Sequence, residues 1–101
     1  MMSTPKQVNE KKKITLNVIF PDRPSENIMC DSVIITVKDD EKGHYGGLYG
    51  IHYGHADSLF ALDTGSAEAF ADGKSVWKQI IGEGFASVCG NHVTLVTELT
   101  N

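Results

Sequence analysis

The chain has 101 residues, of which 41% are hydrophobic and 22% charged, and its formal net charge at neutral pH is −4. That balance predicts one small soluble domain, and the negative charge excludes the basic surface typical of nucleic-acid binding. No apolar run approaches the roughly 20 residues of a membrane-spanning helix, and the start lacks the apolar segment of a signal peptide. Residues 1–13, which hold the one basic cluster, are expected to form a flexible N-terminal arm.

Short segments of alternating hydrophobicity predict β-strands along the chain. The first is ITLNVIF, residues 14–20, in which aliphatic and polar residues alternate before a proline. The β-branched run within DSVIITVKDD, residues 31–40, predicts another strand. The segment SLFALDTG, residues 58–65, fits either a short helix or a buried strand.

Two dipeptides predict tight turns in the second half. Asp72-Gly73 predicts a hairpin that joins residues 66–71 to residues 74–82, although Ala and Glu in the earlier segment favour a helix. Gly90-Asn91 predicts a second turn within residues 84–99. Short strands punctuated by glycine turns indicate an all-β fold, a β-sandwich or flattened barrel without long helices.

The two cysteines, Cys30 and Cys89, lie far apart and form no Cys-x-x-Cys motif. Both have apolar or small neighbours, so we expect reduced, partly buried thiols and a reducing compartment such as the cytosol.

Metal and catalytic chemistry would have to come from a few histidines. A metal-dependent barrel enzyme could use His44, His52, His55 and Asp57, but their spacing matches no compact metal motif. No orienting acid or oxyanion donor accompanies Cys89 and His92. We therefore predict no catalytic residue, metal or cofactor. The other alternative is a free-standing ligand-binding sandwich, for instance for carbohydrate, that uses Trp77 and the tyrosines.

The segment GGLYGIHYGHADSLFAL, residues 46–62, resembles the signature of the epsilon subunit of rotary F-type ATP synthases. The matching positions are Gly47, Gly50, Ile51, Gly54, His55, Ala56, Leu59 and Leu62. ITLNVIFPD and CDSVIITV before it, and IIGEGFASVCGNHVTLVTE after it, resemble other parts of the same domain in the same order. The resemblance spans about residues 14–98 and implies a flattened, ten-stranded β-sandwich formed by residues 14–101.

The resemblance implies a non-catalytic rotor subunit of the central stalk. It would fasten the gamma subunit to the c ring, coupling ion flow to ATP synthesis. It would lie peripherally at the cytoplasmic face of the energy-transducing membrane, without direct insertion. Tyr53 and Asp57 stand where the family usually has prolines, and Gly46 and Leu48 replace its usual acidic residues. The family's C-terminal helical pair does not follow in this sequence, so inhibition and ATP binding are not implied.

The resemblance also suggests which residues meet the partners. The expected c-ring side comprises Tyr45, Leu48, Tyr49, Ile51, His52, Tyr53 and His55, of which about half should cover the core instead. Gly47, Gly50 and Gly54 are expected to bend the chain in a turn that His55 fastens by hydrogen bonds. Val76, Trp77 and Phe85 are candidates for the gamma side, with a core role as the alternative.

Overall fold

The computed structural model describes residues 12–39 and 46–98, and the regular structure in these residues is entirely β. The strands are β1 Ile14–Ile19, β2 Glu26–Cys30, β3 Ser32–Val37, β4 Gly47–His52, β5 Ser58–Leu62, β6 Gly65–Ala71, β7 Lys74–Ile81, β8 Gly84–Cys89 and β9 His92–Thr97. The all-β prediction is confirmed, and the described residues contain nine of the ten expected strands. Most of the expected arm, residues 1–11, lies outside them.

The strands form one continuous sheet that folds over on itself. Its order is β2-β1-β9-β8-β5-β3-β6-β7, with β4 added to β3. β1 and β9 run parallel, whereas the other neighbours are antiparallel. β3 meets β5 at the single pair Val37–Leu62. β2 and β7, the strands at the two ends of this order, lie close enough for the Trp77 indole of β7 to donate a hydrogen bond to Glu26 of β2.

Strand alternation places one face of each strand in a common core. In β1, Ile14, Leu16 and Val18 are buried while the intervening residues are more exposed. The same alternation continues around the sheet, and the largest fully buried side chains are those of Ile14, Leu16, Ile35, Ile51, Leu62, Ile81 and Leu95. Burial of each such side chain contributes about 1.5–3 kcal/mol, and together they hold the sheet closed.

Both predicted turns are present. Asp72 and Gly73 have φ angles of 54° and 79°, the left-handed pair of a tight hairpin, and Gly90 has φ 62°. Residues 65–71 form β6 rather than a helix, because pairing with β7 and burial of Ala67 and Ala69 outweigh local propensity. Residues 58–62 form β5, which pairs along its whole length with β8 and so resolves the open assignment.

The cysteines are both free thiols but differ in environment. Cys30 is fully buried, and that burial, reinforced by the neighbouring Asp31 charge, raises the pKa of its thiol to about 11. Cys89 is exposed, so the expectation of partial burial is wrong for this residue. Its side chain lies on the outer face of β8, because the preceding residue, Val88, faces the core.

Candidate interaction surfaces

The signature segment forms β4 and the loop that leads to β5. β4 pairs with β3 along its full length, from Gly47 opposite Val37 to His52 opposite Ser32, and no described residue pairs with its other edge. Most of its side chains face solvent: Leu48 is 71% exposed, and Tyr53 in the following turn is 43% exposed. This strand and turn therefore present large apolar and aromatic side chains on a hydrogen-bonded frame.

Ile51 is the exception within β4. It lies opposite Val33, and both side chains are fully buried in the core. Its expected role in a partner surface is thus corrected to a core role, because β-strand alternation turns it to the opposite side from Leu48. Tyr45, expected in the same surface, lies outside the described residues, as does His44.

Tyr49, His55 and Phe60 form an aromatic cluster beside β4. The Tyr49 and Phe60 rings lie 4.7 Å apart between centroids, and the Tyr49 and His55 rings meet edge to face at 5.7 Å. The Tyr49 hydroxyl lies 2.8 Å from His55 Nε2, while His55 Nδ1 lies 2.7 Å from the carbonyl oxygen of Ala56. A neutral imidazole satisfies both contacts by donating from Nδ1 and accepting at Nε2.

That arrangement bears on the metal hypothesis. Both ring nitrogens of His55 are engaged within the protein, so a metal would have to displace the Tyr49 hydroxyl from Nε2. Among residues 12–39 and 46–98, no three His, Cys, Asp or Glu side chains converge closely enough to hold a metal ion. The carboxylate of Asp57, the fourth proposed ligand, instead accepts a hydrogen bond from the backbone of Gly90.

The bend of the segment is located at Gly54. Gly54 has φ 81°, a left-handed conformation that glycine adopts without a steric penalty, and His55 N donates to the His52 carbonyl across the turn at 3.1 Å. Gly47 also has a positive φ, 120°. Gly50 is different: it lies in the middle of β4 opposite Ile34, where the chain is extended, so its expected role in a bend is corrected.

Trp77 and Phe85, both candidates for the gamma side, lie in contrasting environments. Trp77 packs against the core, and its indole Nε1 donates to Glu26 Oε1 at 2.9 Å. It is therefore not a free aromatic platform of the kind a carbohydrate site would need. Phe85 is 52% exposed on the outer face of β8. Val76 is also exposed, on β7.

Phe85 belongs to an apolar row that crosses four neighbouring strands. Ala61 of β5 pairs with Phe85, Phe85 with Val96 of β9, and Val96 with Ile19 of β1. Leu59, which is 72% exposed, extends this apolar row along β5, and a shallow groove of about 260 Å³ opens beside Phe85. Ile19 and Leu59 were not identified as surface candidates from the sequence. Leu59 could have been found, because it lies three positions from the buried Leu62 and residues an odd number apart on a strand face opposite sides.

The described residues contain no helix that is both long and apolar enough to cross a membrane. No protein-family model matches the chain.

A curated relative and two solved structures resemble the chain. The ATP synthase epsilon chain of Nitratidesulfovibrio vulgaris is 34% identical over 90 residues, which cover 87% of this chain and 60% of that protein. The chain thus spans about 60% of the length of this relative. The predicted resemblance to ATP synthase epsilon subunits is confirmed by this homologue.

The structural matches concern the fold. A chain of the Euglena gracilis mitochondrial ATP synthase, in a cryo-EM structure of OSCP, F1 and the c-ring, matches with a TM-score of 0.70 and 22% identity over 85% of this chain and 51% of that chain. A chain of the Tetrahymena thermophila mitochondrial ATP synthase central stalk and c-ring matches with a TM-score of 0.64 and 12% identity over 86% and 64%. At these identities the matches establish a shared β fold.

Proposed function

We propose that this chain is a non-catalytic central-stalk subunit of a rotary ATP synthase, which fastens the gamma subunit to the c ring and so couples ion flow to ATP synthesis. The observation that carries the proposal is its 34% identity to a curated ATP synthase epsilon chain over 87% of this chain. The two structural matches, both taken from ATP synthase central-stalk or c-ring assemblies, support it through their common fold. Its task is mechanical, and its position is peripheral to the membrane, at the cytoplasmic face.

The c-ring side is assigned to β4 and its following turn. Leu48 and His52 are exposed on the outer face of β4 and Tyr53 in the turn after it, whereas Tyr49 lies partly exposed over Phe60 on the face that also carries Ile51. Tyrosine suits such a surface because its ring buries a large apolar area while its hydroxyl keeps a polar partner. Pairing of β4 with β3 holds these side chains on a fixed frame, as transmission of torque requires.

The gamma side is assigned to the apolar row around Phe85. Its strands are paired on both sides, so the row is continuous and stiff. An aromatic side chain buries roughly 150–250 Å², and about half of Phe85 is exposed, which leaves roughly 100 Å² for a partner to cover. At about 25 cal/mol per Å², that area contributes about 2.5 kcal/mol, or about 70-fold in affinity.

The test is reciprocal loss of binding, read by size-exclusion chromatography with purified gamma subunit and purified c ring from the same source. Phe85→Asp should abolish co-elution with gamma and retain the c ring, whereas Tyr53→Asp should do the reverse with an unchanged circular dichroism spectrum. Met29→Asp, at an exposed apolar position on β2, is the matched control and should retain both partners.

The outcomes separate the assignments. Loss of gamma binding in Val76→Asp but not in Phe85→Asp would move the gamma side to β7. An unmodified chain that binds neither gamma nor the c ring would overturn the proposed function. Tyr49→Asp is expected to weaken c-ring binding as well, but it also removes the hydroxyl contact to His55, so Tyr53→Asp is the cleaner variant.

A further inference from the structure

We infer that Asp57 and Asn91 are positioning residues that lock the loop of residues 53–57 to the β8–β9 turn and so hold the proposed c-ring surface in its binding conformation. Asp57 Oδ1 accepts a hydrogen bond from Gly90 N at 2.9 Å. Asn91 Oδ1 accepts a second, longer one from Gly54 N at 3.4 Å. The inference rests on the proposed function for the identity of the partner, but the lock itself is a property of the isolated chain.

The two bonds run in opposite directions between the same two turns. The loop contributes a carboxylate to the turn, and the turn contributes an amide oxygen to the loop, so each segment satisfies a backbone N–H of the other. Gly54 and Gly90, whose N–H groups receive these oxygens, both have left-handed backbones, with φ 81° and φ 62°. Both glycines lie in turns outside the strand ladders, so these two hydrogen bonds join segments that strand pairing does not connect.

The β8–β9 turn is itself anchored to the sheet. The carbonyl oxygen of Asn91 accepts a hydrogen bond from Thr15 N of β1 at 2.9 Å. The loop is thus connected through Asn91 to β1, one of the most buried strands of the core. At the end of the loop, Ser58 Oγ of β5 donates to the Ala56 carbonyl oxygen at 2.9 Å, and His55 Nδ1 lies 2.7 Å from the same oxygen.

The loop connects two parts of the sheet, so strand pairing holds its ends but not its middle. It leaves β4, which pairs with β3, and enters β5, whose first residue Ser58 pairs with Val88 of β8. Between these ends it carries Tyr53, which is assigned to the partner surface, and His55, whose ring contacts Tyr49. A loop that samples many conformations loses conformational entropy when it binds, and this loss lowers its affinity for the partner. A loop already held in its binding conformation avoids that loss on binding.

The first experiment compares amide hydrogen exchange in the unmodified 101-residue chain, Asp57→Ala and Asp57→Asn. Loss of the carboxylate in Asp57→Ala should speed exchange at Gly90 and across residues 53–57 by about 10-fold, the loss expected for one hydrogen bond to a charged acceptor. Asp57→Asn retains an oxygen acceptor and should remain close to the unmodified chain. Unchanged exchange in Asp57→Ala would overturn the lock, whatever the partner.

The second experiment measures affinity for purified, detergent-solubilised c ring with the same variants. Asp57→Ala should weaken binding by about 10-fold while its strand core keeps its slow exchange, and Asp57→Asn should bind normally. Equal weakening in both variants would mean that the Asp57 charge touches the partner directly, and would overturn the positioning role. Asn91→Ala should have the smaller effect, because its bond is the longer one.

Tyr53→Asp serves as the reference for the surface itself. Normal c-ring binding by Tyr53→Asp together with faster exchange in Asp57→Ala would refute the assigned partner surface and leave the lock standing. Reduced binding by Tyr53→Asp together with unchanged exchange in Asp57→Ala would refute the lock and leave the proposed function standing.

Discussion

Replacement of Trp77 by Phe is expected to loosen the closure of the sheet between β2 and β7. The indole Nε1 donates to Glu26 Oε1 at 2.9 Å, and this bond joins strands at opposite ends of the sheet order. A hydrogen bond to a charged acceptor contributes about 1.5–3 kcal/mol, and partial exposure of both groups lowers that to about 1–2 kcal/mol. Loss of the larger ring, which packs against the core, adds about 1 kcal/mol.

The measurement is a double-mutant cycle of Trp77→Phe and Glu26→Ala, with urea unfolding followed by far-UV circular dichroism because the variant removes the only tryptophan. The single variant Trp77→Phe should lose about 2–3 kcal/mol, which corresponds to a fall of about 10–20 °C in melting temperature for a domain of this size. The coupling energy should be about 1 kcal/mol. Glu26→Gln, which keeps an oxygen acceptor, is the matched control and should lose less than Glu26→Ala.

A coupling energy below about 0.5 kcal/mol would refute this reasoning, because contacts that act independently add to within that margin. It would mean that the sheet is held closed by the core alone and that the bond is incidental to stability.

Three further outcomes test the core and the packing of its strands. At pH 8 the buried thiol of Cys30, whose pKa burial raises to about 11, should resist iodoacetamide in the folded chain, while exposed Cys89 reacts. Because the thiol in the unfolded chain ionises near pH 9, the free energy of unfolding should fall by at most about 3 kcal/mol between about pH 9 and 11. The variant Cys30→Ser should lack this fall. Ile51→Ala should cost about 2–5 kcal/mol in urea unfolding, because the side chain is fully buried, whereas a partner-surface residue would cost little. Gly84→Ala should destabilise the chain by about 1–3 kcal/mol or more in the same assay, because the added Cβ would overlap the carbonyl oxygen of Val96.

The fold was predictable because its signals are local. The alternation in residues 14–20 predicts a strand, and the dipeptides Asp72-Gly73 and Gly90-Asn91 predict turns. Each signal involves only a few neighbouring residues, and each structure is present in the folded chain. The local sequence was not enough to assign residues 58–62, because their pattern fits either a short helix or a buried strand. Pairing with β8 decides it, and that partner lies more than 20 residues away in the sequence.

The site was less predictable because Gly47, Gly50 and Gly54 predict a turn, and side chains in a turn do not alternate between two faces. Gly47–His52 is a strand, in which residues an odd number of positions apart face opposite sides. Leu48 and Ile51 are three positions apart, so Leu48 faces outward and Ile51 faces the core. The same parity separates exposed Val76 from half-buried Trp77 on β7. The contact between Asp57 and Gly90 bridges 33 positions and depends on how two turns meet, which no local pattern encodes.

β5 connects the two proposed surfaces. It begins at Ser58, directly after the locked loop, and its outward residues Leu59 and Ala61 form one end of the apolar row. All five of its residues pair with β8, so a force applied at the loop reaches the row along a hydrogen-bonded strand. The ladder opposes movement along β5, and the hydrogen bond from Gly90 N to Asp57 Oδ1 opposes a bend at the loop because it ties the loop to the turn that follows β8. Under the proposed function, stiffness between the two surfaces would depend on the β5–β8 ladder and on the hydrogen bond between Asp57 and Gly90, and the loop variants test the second of these.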